Sequence, residues 1–245
     1  WFADDFTLAE LRTLRARERL PGLRPGNARH DGLHPVPTLA EIVALVRAKE
    51  AETGRRIGIY PEIKHPTYFL QDSGIDVADL LLAELGRLGL TPADPVFIQS
   101  FDVAPLRKLA QRSEFKLVQL ASADGGPADE PARTYAGMVS PSGLAEVAEY
   151  ADALGAELRL VLTPEGAPTA LVADAKAAGL AVHAWTLRKE NAFLPAPLRR
   201  GAGDGARGCA EALFALLARA GVTGVFADDP AIAVAARSGT TCPAM

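Results

Sequence analysis

Three ionisable side chains stand at the end of a short apolar segment in the first third of the chain. The segment IGIYPEIKHP runs from Ile57 to Pro66 and carries Glu62, Lys64 and His65 in its second half. Carboxylate oxygens such as those of Glu62 suit a hard cation. Because side chains two positions apart in a strand point the same way, Glu62 and Lys64 are expected on one side, and His65 in a supporting or surface position.

Short apolar runs alternate with longer amphipathic ones over most of the chain. Strand-like runs occur at 57–63, 95–101, 115–121, 150–154, 180–187 and 224–228, the fourth of them weak. Helical patterns separate them, so the sequence predicts right-handed crossovers and a parallel sheet. The runs are apolar on both faces, which is typical of a sheet covered by helices.

Polar or aromatic groups recur where these strand-like runs end. They are Glu62 and Lys64, Gln99 and Asp102, Gln119, Trp185 and Arg188, and Asp228 and Asp229. In a barrel of parallel strands these carboxyl ends converge on one face, where such enzymes place their chemistry. The charged half of the opening segment is therefore expected to point into a shared site, while its apolar half builds the wall.

The number of strands decides between architectures. A closed barrel of this type needs about eight strand and helix units, and the sequence shows about six of them. Residues 1–55 hold two helical patterns joined by a loop rich in Pro and Gly. The first is FTLAELRTLRARERL, with Thr7 at its capping position, and the second is PTLAEIVALVRAKEAETG, which starts with Thr38 as cap and stops at Gly54. We therefore expect an α/β fold, a TIM (β/α)8 barrel with its first two strands missing. Residues 1–245 would form one domain, and residues 1–55 would be a helical and loop region that leads into the barrel. Two exposed sheet edges would make such an open barrel prone to aggregation.

Composition excludes several classes of protein. With 245 residues, 49% of them hydrophobic and 23% charged, the chain is long enough for one full core. Its net charge of -4 and its scattered arginines form no basic stripe for nucleic acid. No apolar run approaches the roughly 20 residues of a membrane helix. Cys209 and Cys242 are too few for a metal site or a disulfide framework, and whether they pair stays open.

Six short motifs together carry a family resemblance. In chain order they are YPEIKHP, FIQSFD, LVQL, EYADALG, HAWTLRKENAFLP and GVTGVFADDP. From Phe6 to Arg237 the chain resembles the glycerophosphodiester phosphodiesterase family, in its longer periplasmic or secreted branch. Similar proteins are TIM barrels that hydrolyse glycerophosphodiesters to glycerol 3-phosphate and an alcohol with a divalent cation, commonly Ca²⁺ or Mg²⁺. The resemblance implies this small-molecule substrate and a periplasmic or secreted location, and it leaves the oligomeric state open.

The histidine pairs of that family are not found in a strand context in this sequence. The family's first two strands carry a His-Arg, a Glu-x-Asp and a His-Asp pair, and no His-Arg dipeptide occurs here. His30 and Asp31 form a His-Asp dipeptide, but they lie in a Pro/Gly loop that precedes no strand pattern. We therefore expect the general acid and base histidines, and any signal region, upstream of Trp1. The chain alone is expected to be inactive, with weak or absent cation binding.

Five residues match family positions at the strand ends. The resemblance implies that Glu62 is a metal ligand and that Lys64 meets a phosphate oxygen. It implies Gln99 as a polar contact, Trp185 as an apolar wall against the glycerol or alcohol, and Arg188 as a group that neutralises substrate charge. The alternatives are a simple ion pair between Glu62 and Lys64, and a Trp185 that belongs to the core.

Two other functions remain open. Lys64 at the end of a barrel strand could form a Schiff base, as in an aldolase, although Glu62 beside it favours the charged amine. Trapping with borohydride and a carbonyl substrate would distinguish this enzyme class. The chain could also be a non-catalytic barrel relative that binds or scaffolds.

Overall fold

Six parallel strands form one sheet in the computed structural model, which describes residues 1–242. Each strand is hydrogen-bonded to the next one along the sequence. The strands are β1 Glu62–Ile63, β2 Phe97–Ser100, β3 Lys116–Ala121, β4 Ala153–Glu157, β5 Ala181–Leu187 and β6 Gly224–Ala227. Every one of them overlaps a predicted run, which confirms the parallel α/β sheet expected from the alternation of patterns.

Helices connect the strands and cover the outer face of the sheet. They are α1 Leu8–Leu11, α2 Leu39–Thr53, α3 Pro66–Ser73, α4 Val77–Arg87, α5 Val103–Arg112, α6 Tyr135–Met138, α7 Pro141–Val147, α8 Leu158–Val161, α9 Leu171–Ala177, α10 Ala210–Ala220 and α11 Pro230–Arg237. Strand residues Ile98, Leu117 and Leu154 share one apolar core with the helix residues Leu106 and Leu144. Within 1–242, no helix has the length and apolar character needed to cross a membrane.

Local signals explain where the second helix begins and ends. The side chain of Thr38 accepts a hydrogen bond from the Glu41 N–H, and the Glu41 carboxylate accepts one from the Thr38 N–H. This capping box satisfies two backbone donors that the first helical turn leaves free. Gly54 ends α2 in the left-handed conformation, at a φ of 68°, which glycine adopts without steric cost.

The first helical pattern gives a much shorter helix than predicted. The pattern FTLAELRTLRARERL extends to Leu20, but α1 has only one turn. Beyond it the chain pairs with its own loop, because the Ala16 N–H donates to the His34 carbonyl and the Ala16 carbonyl accepts from the Gly32 N–H. An antiparallel bridge between Arg15 and Pro35 completes this pairing. The backbone groups that a longer helix would have used are therefore taken up by the following loop.

Inner side chains meet across the curl of the sheet. Tyr60, just before β1, stacks on Phe97 of β2 at 5.2 Å between ring centroids and meets Phe226 of β6 at 4.8 Å. Its hydroxyl lies 2.7 Å from Nδ1 of His183 on β5. Gly224 is required beside this ring, because an added Cβ would lie 2.5 Å from Cδ2 of His183. The first and last strands thus approach each other through their inner side chains, and the sheet forms a half-barrel.

A groove of about 920 Å³ lies along β6 and beside the residues that precede β1. Tyr60, Phe214, Phe226 and Val234 contribute to its walls. In the part of the chain that the structure describes, no further strand pairs with the outer edge of β1 or of β6. The six strands agree with the predicted number, and the absence of two initial strands stays a prediction.

We expect the chain to associate at these open edges as its concentration rises, because the unpaired backbone groups of an edge strand pair with other chains. Val234, which is 48% exposed at the lip of the groove, offers a test. Val234→Lys should shift the average mass in sedimentation velocity toward the monomer. Leu80→Lys, at a 59% exposed position on α4, should leave association unchanged. A concentration-independent monomer with one sharp cooperative melt would contradict the prediction.

The structure pairs Cys209 and Cys242 in a disulfide, with their Cα atoms 5.5 Å apart. Cys209 precedes α10 and Cys242 follows α11, so the bond closes a loop that contains β6. Closing a loop of this length limits the unfolded chain and stabilises the fold by about 4 kcal/mol in the chain-entropy description.

Candidate active site at the carboxyl end of the sheet

Glu62 and Gln99 stand side by side where β1 and β2 end. The two residues are register partners, so their side chains leave the sheet on the same face. Nζ of Lys64 lies 2.7 Å from Oε1 of Glu62. The structure therefore brings together three of the five predicted site residues. It also contains the predicted alternative, since Glu62 and Lys64 form an ion pair, and their roles toward a ligand stay predictions.

Gln99 presents an unpaired polar atom in a buried position. The residue is only 6% exposed, and Oε1 has no hydrogen-bond partner in the described part of the chain. A buried acceptor without a partner costs about 1 to 3 kcal/mol. A ligand group that donates a hydrogen bond, or a cation, would remove this cost.

Trp185 forms an aromatic wall on the same face of the sheet. It pairs in register with Glu157, and its ring meets Phe101 edge-on at 5.8 Å between centroids. Its Nε1–H donates to the Gly155 carbonyl over 2.9 Å, which fixes the plane of the indole. Phe101 follows β2, where Gln99 lies, so Trp185 reaches the edge of the sheet that carries the acidic and amide groups.

Arg188 lies beside this wall and is held by an ion pair. Its Nε lies 2.9 Å from Oδ2 of Asp228, and its guanidinium carbon lies 4.5 Å above the Phe193 ring. Arg24, from the first 55 residues, reaches the same Asp228 oxygen at 2.7 Å and also binds Glu190 at 2.7 Å. Burial raises the pKa of the Asp228 carboxyl, but the two arginines outweigh it and hold the pKa below its ordinary value.

Sequence reasoning missed two residues at this end of the sheet. Arg24 lies in an irregular loop, where no periodicity indicates partners in the segments that follow β5 and β6. Glu157 ends β4, but the fourth run was predicted at 150–154, and the strand occupies Ala153–Glu157. Had the fourth run been predicted to end three residues later, Glu157 would have been recognised as an acidic residue at a strand end. The Glu157 carboxylate accepts hydrogen bonds from the Ser122 hydroxyl at 2.6 Å and from the Ala123 N–H at 2.8 Å.

Two polar residues that the strand ends predicted for the shared site face elsewhere. Gln119 lies on the outer face of the sheet, where its amide oxygen accepts from the Tyr150 hydroxyl at 2.9 Å and its amide donates to the Phe101 carbonyl at 3.0 Å. Asp102 is 4% exposed and accepts from the Thr67 N–H and hydroxyl. Both side chains are used within the fold, because their backbone positions turn them away from the inner face.

The histidines take structural or surface positions. His183 is 9% exposed, and its Nδ1 hydrogen-bonds with the Tyr60 hydroxyl, so it takes a buried structural position. Burial lowers the pKa of its imidazole. His65 is exposed at the start of α3, with a φ of 50°. His30 is exposed in the 3-10 helix Pro25–His30, and its Nε2 accepts from Arg29.

A divalent cation would find part of its ligand set here. Glu62 offers a carboxylate and Gln99 an orphaned amide oxygen, and both suit a hard cation. Calcium takes about six to eight oxygens, so these two residues fit part of its shell. Across residues 1–242, the one group of three clustered Cys, His or acidic ligands is Cys209, Glu211 and Cys242, whose cysteines form the disulfide.

Comparison with known proteins matches this chain to one family over most of its length. The glycerophosphoryl diester phosphodiesterase family matches residues 2–232. A Haemophilus influenzae protein named glycerophosphodiester phosphodiesterase is 29% identical over 262 residues, which cover 94% of this chain and 68% of that protein.

Two solved structures share the fold. A Silicibacter pomeroyi protein proposed to be a glycerophosphoryl diester phosphodiesterase has a TM-score of 0.64 at 20% identity, over 97% of this chain and 70% of that one. An Oleispira antarctica phosphodiesterase, solved with the product sn-glycerol-3-phosphate, has a TM-score of 0.62 at 17% identity, over 96% and 72%. Because the family match extends over residues 2–232, this chain belongs to the glycerophosphoryl diester phosphodiesterase family.

Proposed function

We propose that this chain carries the substrate-binding part of a metal-dependent glycerophosphodiester phosphodiesterase. The complete site would hydrolyse a glycerophosphodiester to glycerol 3-phosphate and an alcohol. The observation that carries this proposal is the grouping of Glu62, Lys64 and Gln99 at the carboxyl end of neighbouring strands, in a chain of this family. The Oleispira antarctica relative, which holds sn-glycerol-3-phosphate, supports the substrate class.

Each residue has a role that its position supports. Glu62 contributes one oxygen ligand to Ca²⁺ or Mg²⁺, and the bound cation would neutralise charge on the phosphoryl oxygens. Lys64, which is 68% exposed, can leave its ion pair with Glu62 to meet a phosphate oxygen. Trp185 covers the apolar side of the glycerol or alcohol. Arg188 adds positive charge at the rim.

The general acid and base of the reaction are proposed to lie outside residues 1–245. The sequence contains four histidines, and none of them bonds to Glu62, Lys64 or Gln99 in the part of the chain that the structure describes. His183 is engaged with Tyr60. We therefore propose that the two initial barrel strands, with the family's histidine pairs, complete the site, and that residues 1–245 alone are inactive.

A periplasmic or secreted location belongs to the same proposal. Disulfides persist in oxidising compartments, and the pairing of Cys209 with Cys242 supports such a compartment. The Schiff-base alternative has less support, because the Lys64 ammonium is engaged by Glu62 at 2.7 Å. No specific observation favours a non-catalytic barrel relative.

The test combines turnover with binding. We expect residues 1–245 to release no choline from glycerophosphocholine, yet to bind glycerol 3-phosphate in the presence of Ca²⁺ in a calorimetric titration. Lys64→Ala should weaken that binding by about tenfold or more, because a hydrogen bond to a charged group contributes about 1.5 to 3 kcal/mol. Lys49→Ala, which removes a lysine that is 52% exposed in its own ion pair with Glu52, is the control. Choline release would refute the inactivity, and equal affinity of the Lys64 variant would refute the site.

A further inference from the structure

A cavity of about 760 Å³ opens beside the candidate active site. It lies between the segment after β4 and the segment after β5, and Trp185 and Arg188 belong to its lining. Most of the remaining wall is apolar, formed by Leu158, Leu162, Phe193, Leu194 and Pro195. The cavity is therefore a continuation of the site's aromatic wall into an apolar chamber. Its volume falls in the range of pockets that enclose small organic ligands.

The charged groups around the cavity are largely used within the chain. Arg159 pairs with Glu157 and with Asp124, the latter at 2.8 Å. Arg188 pairs with Asp228 at 2.9 Å and stacks on the Phe193 ring. Arg199, the fourth charged residue of the lining, has no carboxylate partner among the described residues, and its Nε donates to the Leu194 carbonyl at 2.9 Å. The other three are engaged in ion pairs, so the largest surface that remains for recognition is the apolar wall.

We propose that this cavity binds a single alkyl or acyl chain attached to the phosphodiester. The substrate class would then include diesters of the lysophospholipid type as well as fully deacylated glycerophosphodiesters. The phosphate would stay at Lys64 and Glu62, Trp185 would separate the polar from the apolar part, and the chain would lie along Leu158 and Phe193. This inference rests on the proposed function, because it places the phosphate at the candidate active site.

The experiment measures affinity as a function of chain length, using the full chain with Ca²⁺. Hexanoyl, octanoyl and decanoyl lysophosphatidylcholine, kept below their micelle concentrations, are compared with glycerophosphocholine by isothermal titration calorimetry. Each buried methylene should tighten binding by about fourfold if its transfer from water is complete. Leu158→Glu and Ala196→Trp change two residues of the cavity lining outside the phosphate site. Each should abolish the dependence of affinity on chain length while glycerol 3-phosphate binding persists. Leu80→Glu, on the exposed face of α4, should leave the series unchanged.

The outcomes separate the cavity from the proposed function. If the affinity of the unmodified chain does not change with acyl-chain length while glycerol 3-phosphate still binds, the cavity assignment alone is overturned. An affinity for octyl glucoside equal to that for octanoyl lysophosphatidylcholine overturns it too, because the phosphodiester would then have no part in binding. Loss of both glycerol 3-phosphate binding and the series overturns the proposed function with it. A rising series that only the two cavity variants abolish supports the inference.

Discussion

Replacing Arg24 with alanine is expected to destabilise the fold by about 3 to 5 kcal/mol. The guanidinium bonds both carboxylate oxygens of Glu190, at 2.7 and 3.1 Å, and Oδ2 of Asp228 at 2.7 Å. The Glu190 side chain is only 3% exposed. Alanine would leave this carboxylate buried without its partner, which is the costly case for a buried ion pair. The change would also release the opening segment from the end of β5 and β6.

Arg12→Ala is the matched control for this prediction. Arg12 belongs to the same opening segment and pairs with Glu41 at 3.0 Å, but the two side chains are 53% and 51% exposed. Exposed pairs contribute about 0 to 1 kcal/mol. Urea denaturation of the two variants should therefore give free energies of unfolding that differ by several kcal/mol. Similar values for both variants would show that the Arg24 contacts do not stabilise the fold.

The cost of the Arg24 change should also depend on pH. Burial raises the pKa of the Glu190 carboxyl, but the bond from Arg24 outweighs it, so the folded-state pKa lies below the ordinary value. Stability from a lowered carboxyl pKa is present above the unfolded pKa, about 4.3 for Glu, and is lost as pH falls through the folded pKa. The difference in unfolding free energy between the parent chain and Arg24→Ala should thus be largest near neutral pH. It should shrink steadily below about pH 4.

Gly143→Ala is expected to destabilise the fold by about 3 kcal/mol, at the upper end of the usual cost of overpacking. Gly143 is buried in the first turn of α7, where α6 lies against it. An added Cβ would lie 2.5 Å from the Met138 carbonyl oxygen and closer still to that of Gly137. Both contacts are with backbone atoms, so no side chain can rotate to relieve them, and the two helices must separate.

Gly86→Ala gives a control of opposite sign. Gly86 lies inside α4, and an added Cβ would meet nothing within 4 Å. Alanine in an exposed helical position should raise the free energy of unfolding by about 0.5 to 1 kcal/mol. Thermal or urea unfolding of both variants measures the contrast. A Gly143 variant as stable as the parent would mean that α6 and α7 are not packed as closely as the structure has them.

Much of the fold was predictable from local patterns. The six apolar runs became six parallel strands, because a run that is apolar on both faces must be covered by helices on one side and by inner side chains on the other. Thr38 and Gly54 bounded α2 through capping chemistry that depends only on neighbouring residues. The helix predicted from Thr7 to Leu20 was too long, because the contacts that ended it come from residues 32–35, and a helical pattern contains no information about them.

The site was predictable in part. Glu62 and Lys64 were predicted to lie on one side because they stand two positions apart at the end of a strand-like run. The structure brings their charged groups to 2.7 Å, with Lys64 directly after β1. Gln119 was wrongly predicted in the shared site because the sequence pattern did not show which residues of its strand face inward. Neighbouring residues of a strand point to opposite faces of the sheet, so an error of one position moves a side chain to the other face. Arg24 was missed because its partners Glu190 and Asp228 lie 166 and 204 positions away.

The amino-acid sequence by itself determined the parallel α/β class and the ends of the strands where charge accumulates, because alternating apolar periods and capping residues act over a few neighbouring positions. Tertiary structure alone decided which of those charges meet. Packing and register across distant segments paired Arg24 with Asp228, buried the free oxygen of Gln99, and turned Gln119 toward Tyr150. Packing also formed the apolar cavity beside Trp185, whose walls come from segments that are not contiguous in the sequence.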